Sequence, residues 1–228
     1  MRTFVVAGSP VGDPPAGLEP GPADRVIAAD GGAAHARAWG WPIHLLIGDL
    51  DSLPPDEARF LAAAGTPVIT APSVKDETDL ELALARALAW GSSEIVICAA
   101  LGGRADHMLG NVLQLARHEL ANVDACLAGG GQVLRLLRAE RRVGDGAGVG
   151  QERAHLLLCG APGDLLSLLP IGGDATGVWT EGLAYALRGE TLYLGQARGI
   201  SNVFVEPRAR IQLETGMLLV IHAKNGGG

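Results

Sequence analysis

The sequence predicts an α/β domain built on a parallel sheet, followed by a domain of β-strands alone. Two observations lead there. From residue 1 to about 130, short β-rich runs alternate with helical patterns, and repeated β-loop-α units of that length imply a parallel sheet with helices on its faces. After about Gly131 the runs are short and broken by Gly, Pro, Asn or Asp, and none is a convincing helix, which implies antiparallel strands in a sandwich or barrel. The boundary is placed between residues 135 and 136, giving domains 1–135 and 136–228.

In the first half, "TFVVAG" and "RVIAAD" read as strands, the second leading through a Gly-Gly turn into the helix-like "AAHARAWG". "IHLLIGD" is the next strand, and "PPDEARFLAAAG" a short helix opened by prolines. "PVITAP" is a fourth strand, and "ETDLELALARALAWG" an amphipathic helix ending at Gly91. "EIVICAA" precedes "LGGRADHMLGNVLQLARHEL", a glycine turn and one long helix, and "VDACLAG" closes the series. In the second half the strand candidates are "QVLRLLRAE", "RAHLLLCG", "LLSLLPIG", "GVWTEGLAYAL", "TLYLG", "NVFVEP" and "RIQLETGMLLVIHA", with "LETGMLLV" reading as a hairpin. The glycine-rich 144–150 is a flexible loop, and the closing "KNGGG" a frayed tail.

A chain of 228 residues, 48% of them hydrophobic, can bury a sizeable core. Its net charge of −7 argues against a nucleic-acid binder, which would present a basic face, although an acidic protein can still handle an anion that arrives with a divalent metal. Cys98, Cys126 and Cys159 lie in apolar runs without a CxxC spacing, which fits a reducing, cytoplasmic compartment. No segment has the length of apolar sequence that a membrane span needs.

The polar residues of the first half fall where strands end. In a parallel α/β sheet the loops at the carboxyl ends of the strands line the ligand crevice. Four of them carry candidates: Asp30, Gly31 and Gly32; Asp49 and Asp51; Lys75 to Asp79; and Gly102 to His107. Asp49 and Asp51 stand two apart, and on a strand such side chains point to one side, so something positive is expected between them. Hard oxygen ligands suit Mg²⁺; the alternative is that Asp51-Ser52 caps the following turn. Thr78 and Glu81 have capping-box spacing, and Asp79 near that helix start is favoured by the dipole whether or not it holds a metal. Gly102 and Gly103 precede a helix whose first amides can bind an anion, with Arg104 as a forked cation. Asp106 is either a site residue or a first-turn acid, and His107 is read as packing or capping. His35, His44 and His118 show no ligand spacing. Neither a Walker A loop, nor a GxGxxG, nor a GxSxG elbow occurs. Several aspartates, one lysine, one arginine and glycine-rich anion cradles remain, which is the equipment of metal-assisted phosphoryl or nucleotidyl chemistry.

Taken in order, "DGGA", "GDLDS", "KDETDLELAL", "GGRADHMLGN", "LLSLLPIGGDATGVWTEGLAYAL", "RGISN" and "GMLLVIH" resemble the thiamine pyrophosphokinase (thiamin diphosphokinase) family over nearly the whole chain. The resemblance implies an α/β nucleotide-binding domain followed by a β-sandwich, and a homodimer with thiamine bound at the subunit interface. It implies transfer of pyrophosphate from ATP to the hydroxyl of thiamine, releasing AMP, with Mg²⁺. Carried onto this sequence, Asp49, Asp51 and Asp79 hold the metal. Asp30, Gly31, Lys75, Thr78, Gly102, Gly103 and Arg104 serve ATP and its phosphates, and Asp106, Tyr185, Ser201 and Asn202 meet thiamine. Three rivals are a pyrophosphokinase acting on a hydroxymethyl-pterin, a metal-dependent nucleotide hydrolase, and a non-catalytic nucleotide or thiamine sensor.

Overall fold

Runs of Val, Ile, Leu and Ala with little alternation suit strands covered on both faces. Five such runs are β1 (Arg2–Val6), β2 (Arg25–Ala29), β3 (Leu45–Gly48), β5 (Glu94–Cys98) and β6 (Asp124–Gly129). With β4 (Val68–Thr70), they form parallel ladders in the order β6-β5-β1-β2-β3-β4. The computed structural model describes residues 1–10, 13–51, 53–72, 74, 76–139 and 153–225. Its contacts divide the chain into two units, Met1–Gly131 and Gln132–Gly228. The division precedes 135/136 because β7 (Gln132–Ala139) runs unbroken through that point.

In the first unit β1 pairs with β2 on one side and β5 on the other, so the strand order reverses there and opens a crevice at the carboxyl ends. Helices α1 (Gly32–Ala38), α2 (Pro55–Ala63), α3 (Asp79–Ala89) and α4 (Ala105–Leu113) connect the strands. Helix α3 buries Leu80, Ala83, Leu84 and Ala87, an i, i+3, i+4, i+7 stripe. Leu84 is fully buried, worth about 1.5–3 kcal/mol of transfer free energy. The chain leaves α3 through Gly91, whose positive φ of 75° suits glycine. The long helix expected toward Leu120 is instead α4 followed by two 3₁₀ turns, Gln114–Ala116 and His118–Leu120. Between the turns Arg117 is extended, with ψ 138°. In that conformation its guanidinium reaches Glu81 at 3.5 Å and Glu119 at 3.0 Å.

Antiparallel strands make up the second unit, and no helix occurs among its described residues. One set runs β12 (Asn202–Val203), β9 (Leu165–Pro170), β14 (Gly216–Ala223), β7. The other runs β11 (Arg188–Leu192), β10 (Ala175–Glu181), β13 (Arg208–Leu213), β8 (Ala154–Cys159). Leu166, Leu168, Leu218 and Val220 of the first set share a core with Val178, Leu192, Ile211 and Leu213 of the second. Two sheets over one core make a sandwich and remove the barrel alternative.

Three expected features differ. "LETGMLLV" is not a hairpin: β13 pairs with β10 and β8, whereas β14 pairs with β7 and β9, so the chain changes sheets at Glu214–Thr215. "GVWTEGLAYAL" breaks at Gly182, where φ is 75° and a Cβ would stand 2.0 Å from the Arg208 carbonyl oxygen. The start of the expected frayed tail is pinned, since the Asn225 amide donates to Asp164 Oδ1 at 3.0 Å. The loop 144–150 and Gly226 to Gly228 lie outside the described residues.

Candidate functional site

A cavity of about 740 Å³ opens at the carboxyl ends of the parallel strands, within the range of small-molecule sites. Ala7 to Pro10 after β1, Asp30 and Gly31 after β2, and Asp49 and Asp51 after β3 line it. Glu77 to Leu80 at the start of α3 and residues of α4 with Arg104 complete the wall. All of these belong to the first unit. All four loops singled out from the sequence contribute to the lining; the loop after β1, which also lines it, carries no charged residue and gave no signal.

Local geometry decides which carboxylates converge. Asp30 has a positive φ of 44°, and its amide donates to the Ile47 carbonyl at 2.9 Å, which fixes the turn out of β2 against β3. A Cβ at Gly48 would lie 2.9 Å from the Asp30 Cβ, so only glycine lets the two strand ends approach this closely. Gly32, the first residue of α1, is equally constrained: a Cβ there would lie 1.9 Å from the Val6 carbonyl oxygen. As a result, one carboxylate oxygen each from Asp30, Asp49 and Asp79 lies within 4.8 Å of the other two. Asp30 Oδ1 is buried and has no hydrogen-bond donor among the described residues. Three hard carboxylate oxygens at such spacing have the chemistry of a set that could hold a single hard cation.

Asp51 does not join this group. The strand ends at Gly48, Leu50 takes a left-handed φ of 66°, and the Asp51 amide donates to Asp49 Oδ1 at 3.2 Å. The two-residue period of a strand therefore does not apply to Asp49 and Asp51, and the loop makes an Asx-type turn. Asp51 still lines the cavity.

At α3 the capping box is complete. Thr78 Oγ1 accepts from the Glu81 amide at 3.2 Å, and Glu81 Oε2 accepts from the Thr78 amide at 2.7 Å. That bond, first among several, holds the Glu81 carboxyl below its usual range. Asp79 is the first residue of the helix. At α4 the N-cap Arg104 makes no side-chain cap bond, and its guanidinium forks onto Asp106. Gly102 and Gly103 are not cavity-lining; they form a left-handed turn packed against Pro10. His107, read from the sequence as packing or capping, lines the cavity, as do Asn111 and Gln114, which no sequence signal singled out. Lys75 and Ser52 lie outside the described residues.

In the second unit Asn202 is buried and works as a clamp. Its Oδ1 accepts from the Tyr185 and Val203 amides at 2.9 Å, and its Nδ2 donates to the Tyr185 carbonyl at 2.7 Å. Tyr185 itself is 71% exposed. Ser201 has a positive φ of 58°, and its amide donates to Ser167 Oγ at 3.0 Å.

Fold and crevice define an α/β protein with an acidic ligand site at a strand-order switch, followed by a two-sheet β unit. Residues 21–127 match the family described as "Thiamin pyrophosphokinase, catalytic domain", and residues 155–218 match "Thiamin pyrophosphokinase, vitamin B1 binding domain". The chain belongs to the thiamine pyrophosphokinase family. Thiamine pyrophosphokinase of Bacillus subtilis is 27% identical over 186 residues, covering 77% of this chain and 76% of the relative. Thiamine pyrophosphokinase 2 of Arabidopsis thaliana is 29% identical over 190 residues, 79% of this chain and 65% of that longer protein. In fold, the crystal structure of the Bacillus subtilis enzyme superposes with a TM-score of 0.81 at 24% identity, over 99% of this chain and 100% of that one. Yeast thiamin pyrophosphokinase superposes with a TM-score of 0.74 at 15% identity, over 97% and 86%.

Proposed function

We propose that this chain transfers pyrophosphate from ATP to the hydroxyl of thiamine, giving thiamine diphosphate and AMP. The observation that carries the reading is the convergence of the Asp30, Asp49 and Asp79 carboxylates in the crevice of a chain of this family. These three residues would hold Mg²⁺, in place of the set Asp49, Asp51 and Asp79 that the family resemblance implies. When bound, the ion neutralises polyphosphate charge and favours attack at phosphorus.

The chain's own residues supply positioning. Arg104 and the first amides of α4 face an anion with a forked cation and the positive end of the helix. Gly31, Thr78 and Lys75 belong to the loops that would flank the phosphates, with Gly102 and Gly103 shaping the turn before Arg104. The Thr78 hydroxyl is already committed to the cap, so its contribution is through the backbone and through Asp79. The thiamine hydroxyl attacks the β-phosphorus and gives up its proton to solvent, the bond from that phosphorus to the α,β-bridging oxygen breaks, and AMP departs with its electron pair. Holding the two reactants in line accounts for much of the acceleration.

Asp106, Tyr185, Ser201 and Asn202 would meet thiamine, with Tyr185 offering a ring face and Asn202 fixing its backbone. The N-terminal domain then binds the nucleotide and the C-terminal sandwich the vitamin, in a homodimer with thiamine at the subunit interface. A cytoplasmic setting fits three cysteines that form no disulfide. No described helix is long and apolar enough to cross a membrane.

The test is product analysis of purified protein with ATP, Mg²⁺ and thiamine, beside mixtures lacking thiamine or containing a hydroxymethyl-pterin instead. AMP and thiamine diphosphate formed together, only with thiamine, support the reading. ATP breakdown without thiamine, or product with the pterin alone, overturns it.

A further inference from the structure

Arg117 is separated from the carboxylate cluster in sequence and lies outside the lining of the crevice, yet its contacts lead back to it. Its Nη1 lies 3.5 Å from Glu81 Oε1 and 3.4 Å from Gln114 Oε1, and its Nη2 lies 3.0 Å from Glu119 Oε1. Glu81 and Arg117 are each about a quarter exposed, so their attraction is screened less than that of a surface pair. Glu81 also accepts from Gln114, a residue that lines the crevice. The same Glu81 carboxylate closes the capping box on Thr78, and the helix that this box starts begins with Asp79. A capping box alone needs no partner behind its glutamate. Here the glutamate is bridged to a residue whose extended backbone interrupts the helical run from Ala105 to Leu120.

We propose that Arg117 is a positioning residue for the metal site, acting through Glu81 to fix the first turn of α3 and so the Asp79 carboxylate against Asp30 and Asp49. The proposal rests on the metal reading given under Proposed function. It involves no proton or bond transfer: the arginine holds Glu81, Glu81 holds the Thr78 amide, and Asp79 follows from the helix start. Partners that orient a ligand from outside its coordination shell change metal affinity without touching the ion.

The experiment measures Mn²⁺ binding to the full chain by electron paramagnetic resonance, with thermal melts of each variant as a control on folding. Arg117→Met keeps the apolar stem and removes the charge, and Arg117→Lys restores a charge. Glu81→Gln keeps a capping-box residue but loses the attraction to Arg117. We expect Arg117→Met and Glu81→Gln each to weaken Mn²⁺ about tenfold, the low end for partners outside the shell. The double variant should lose no more than either single one, as for residues acting in series, and Arg117→Lys should recover part of the loss. If Arg117→Met does not fold, Glu81→Gln alone decides. Affinity within twofold of the parent in the folded variants, or fully additive losses, overturns the proposal. A parent that binds no Mn²⁺ overturns the metal reading with it, whereas a parent that binds Mn²⁺ but makes no thiamine diphosphate overturns only the activity.

Discussion

Arg104 and Asp106, two residues apart at the start of α4, are locked in a forked ion pair, with Nη2 at 2.6 Å from Oδ2 and Nε at 3.2 Å from Oδ1. The hydrogen bonds from the guanidinium, aided by the His107 amide, hold the Asp106 carboxyl down at about 2. The carboxylate thus occupies the guanidinium edge that a phosphate would take. Because both groups face solvent, an incoming polyphosphate can displace Asp106 at little cost.

Arg104→Ala should therefore raise the KM for ATP by about tenfold or more, the scale of a lost charge-assisted contact. Arg104→Lys should recover only part of this, since an ammonium cannot make the fork. Steady-state kinetics with ATP varied at saturating thiamine check both variants. Unchanged KM and kcat in Arg104→Ala would make the arginine structural.

The carboxylate cluster gives a sharper discrimination. Asp30→Asn, Asp49→Asn and Asp79→Asn should each lower kcat/KM by about 100-fold or more, as expected when several kcal/mol of charge stabilisation is lost. Asp51→Asn should cost markedly less, because its carboxylate stands outside the group. The four variants are to be compared at several Mg²⁺ concentrations. An Asp51→Asn loss as deep as that of Asp49→Asn, with Asp30→Asn nearly normal, would restore the set Asp49, Asp51 and Asp79 that the family resemblance implies.

That contrast shows what the sequence makes legible. Apolar runs of four to six residues at "TFVVAG", "LLIGDL" and "EIVICAA" mark covered parallel strands, and the loops that follow such strands meet at one edge whatever their side chains. The crevice is therefore readable from pattern. The grouping of carboxylates is not, because it depends on where β3 stops. Gly48 and the left-handed Leu50 end the strand one residue earlier than the apolar run suggests, and the carboxylates that lie together are those of Asp30, Asp49 and Asp79, without Asp51. The sheet change between β13 and β14 is hidden for a similar reason. "LETGML" has hairpin chemistry, and only the core that both sheets share decides which neighbours each strand takes.

In the second unit, His222 Nε2 and Asp164 Oδ2 lie 2.8 Å apart and largely buried. Burial pushes the Asp164 carboxyl up, but the Ala161 and Asn225 amides together with His222 outweigh it and hold the group below the usual carboxylate range. A folded value below the unfolded value of about 3.9 means stability that is present above that pH and lost as pH falls through the folded value. Asp164→Asn should cost about 2 kcal/mol at neutral pH, the scale of a disturbed buried acceptor. It should also flatten the decline of Tm on the acid side. Melts of both proteins from neutrality to below about pH 3 measure this, and two curves of equal slope would mean that another carboxylate sets the acid limit.

Tyr185 and Asn202 separate contact from support. The tyrosine ring is exposed while its backbone amide and carbonyl are both bonded by the Asn202 side chain. Tyr185→Ala removes a ring without disturbing that clamp, so it should raise the KM for thiamine about five- to tenfold, as for loss of an aromatic stacking contact. The KM for ATP and the Tm should stay near the parent values. Asn202→Ala instead leaves two amides and a carbonyl without their partner, so it should lower Tm as well as weaken thiamine, at a cost of about 1–3 kcal/mol. Asn202→Asp restores the acceptor but not the donor to the Tyr185 carbonyl, and should fall between the two. Thiamine titrations and melts on the three variants check the assignment. If Tyr185→Ala leaves thiamine kinetics untouched, the exposed ring belongs to a surface unrelated to the vitamin, and the Asn202 clamp serves the sandwich alone.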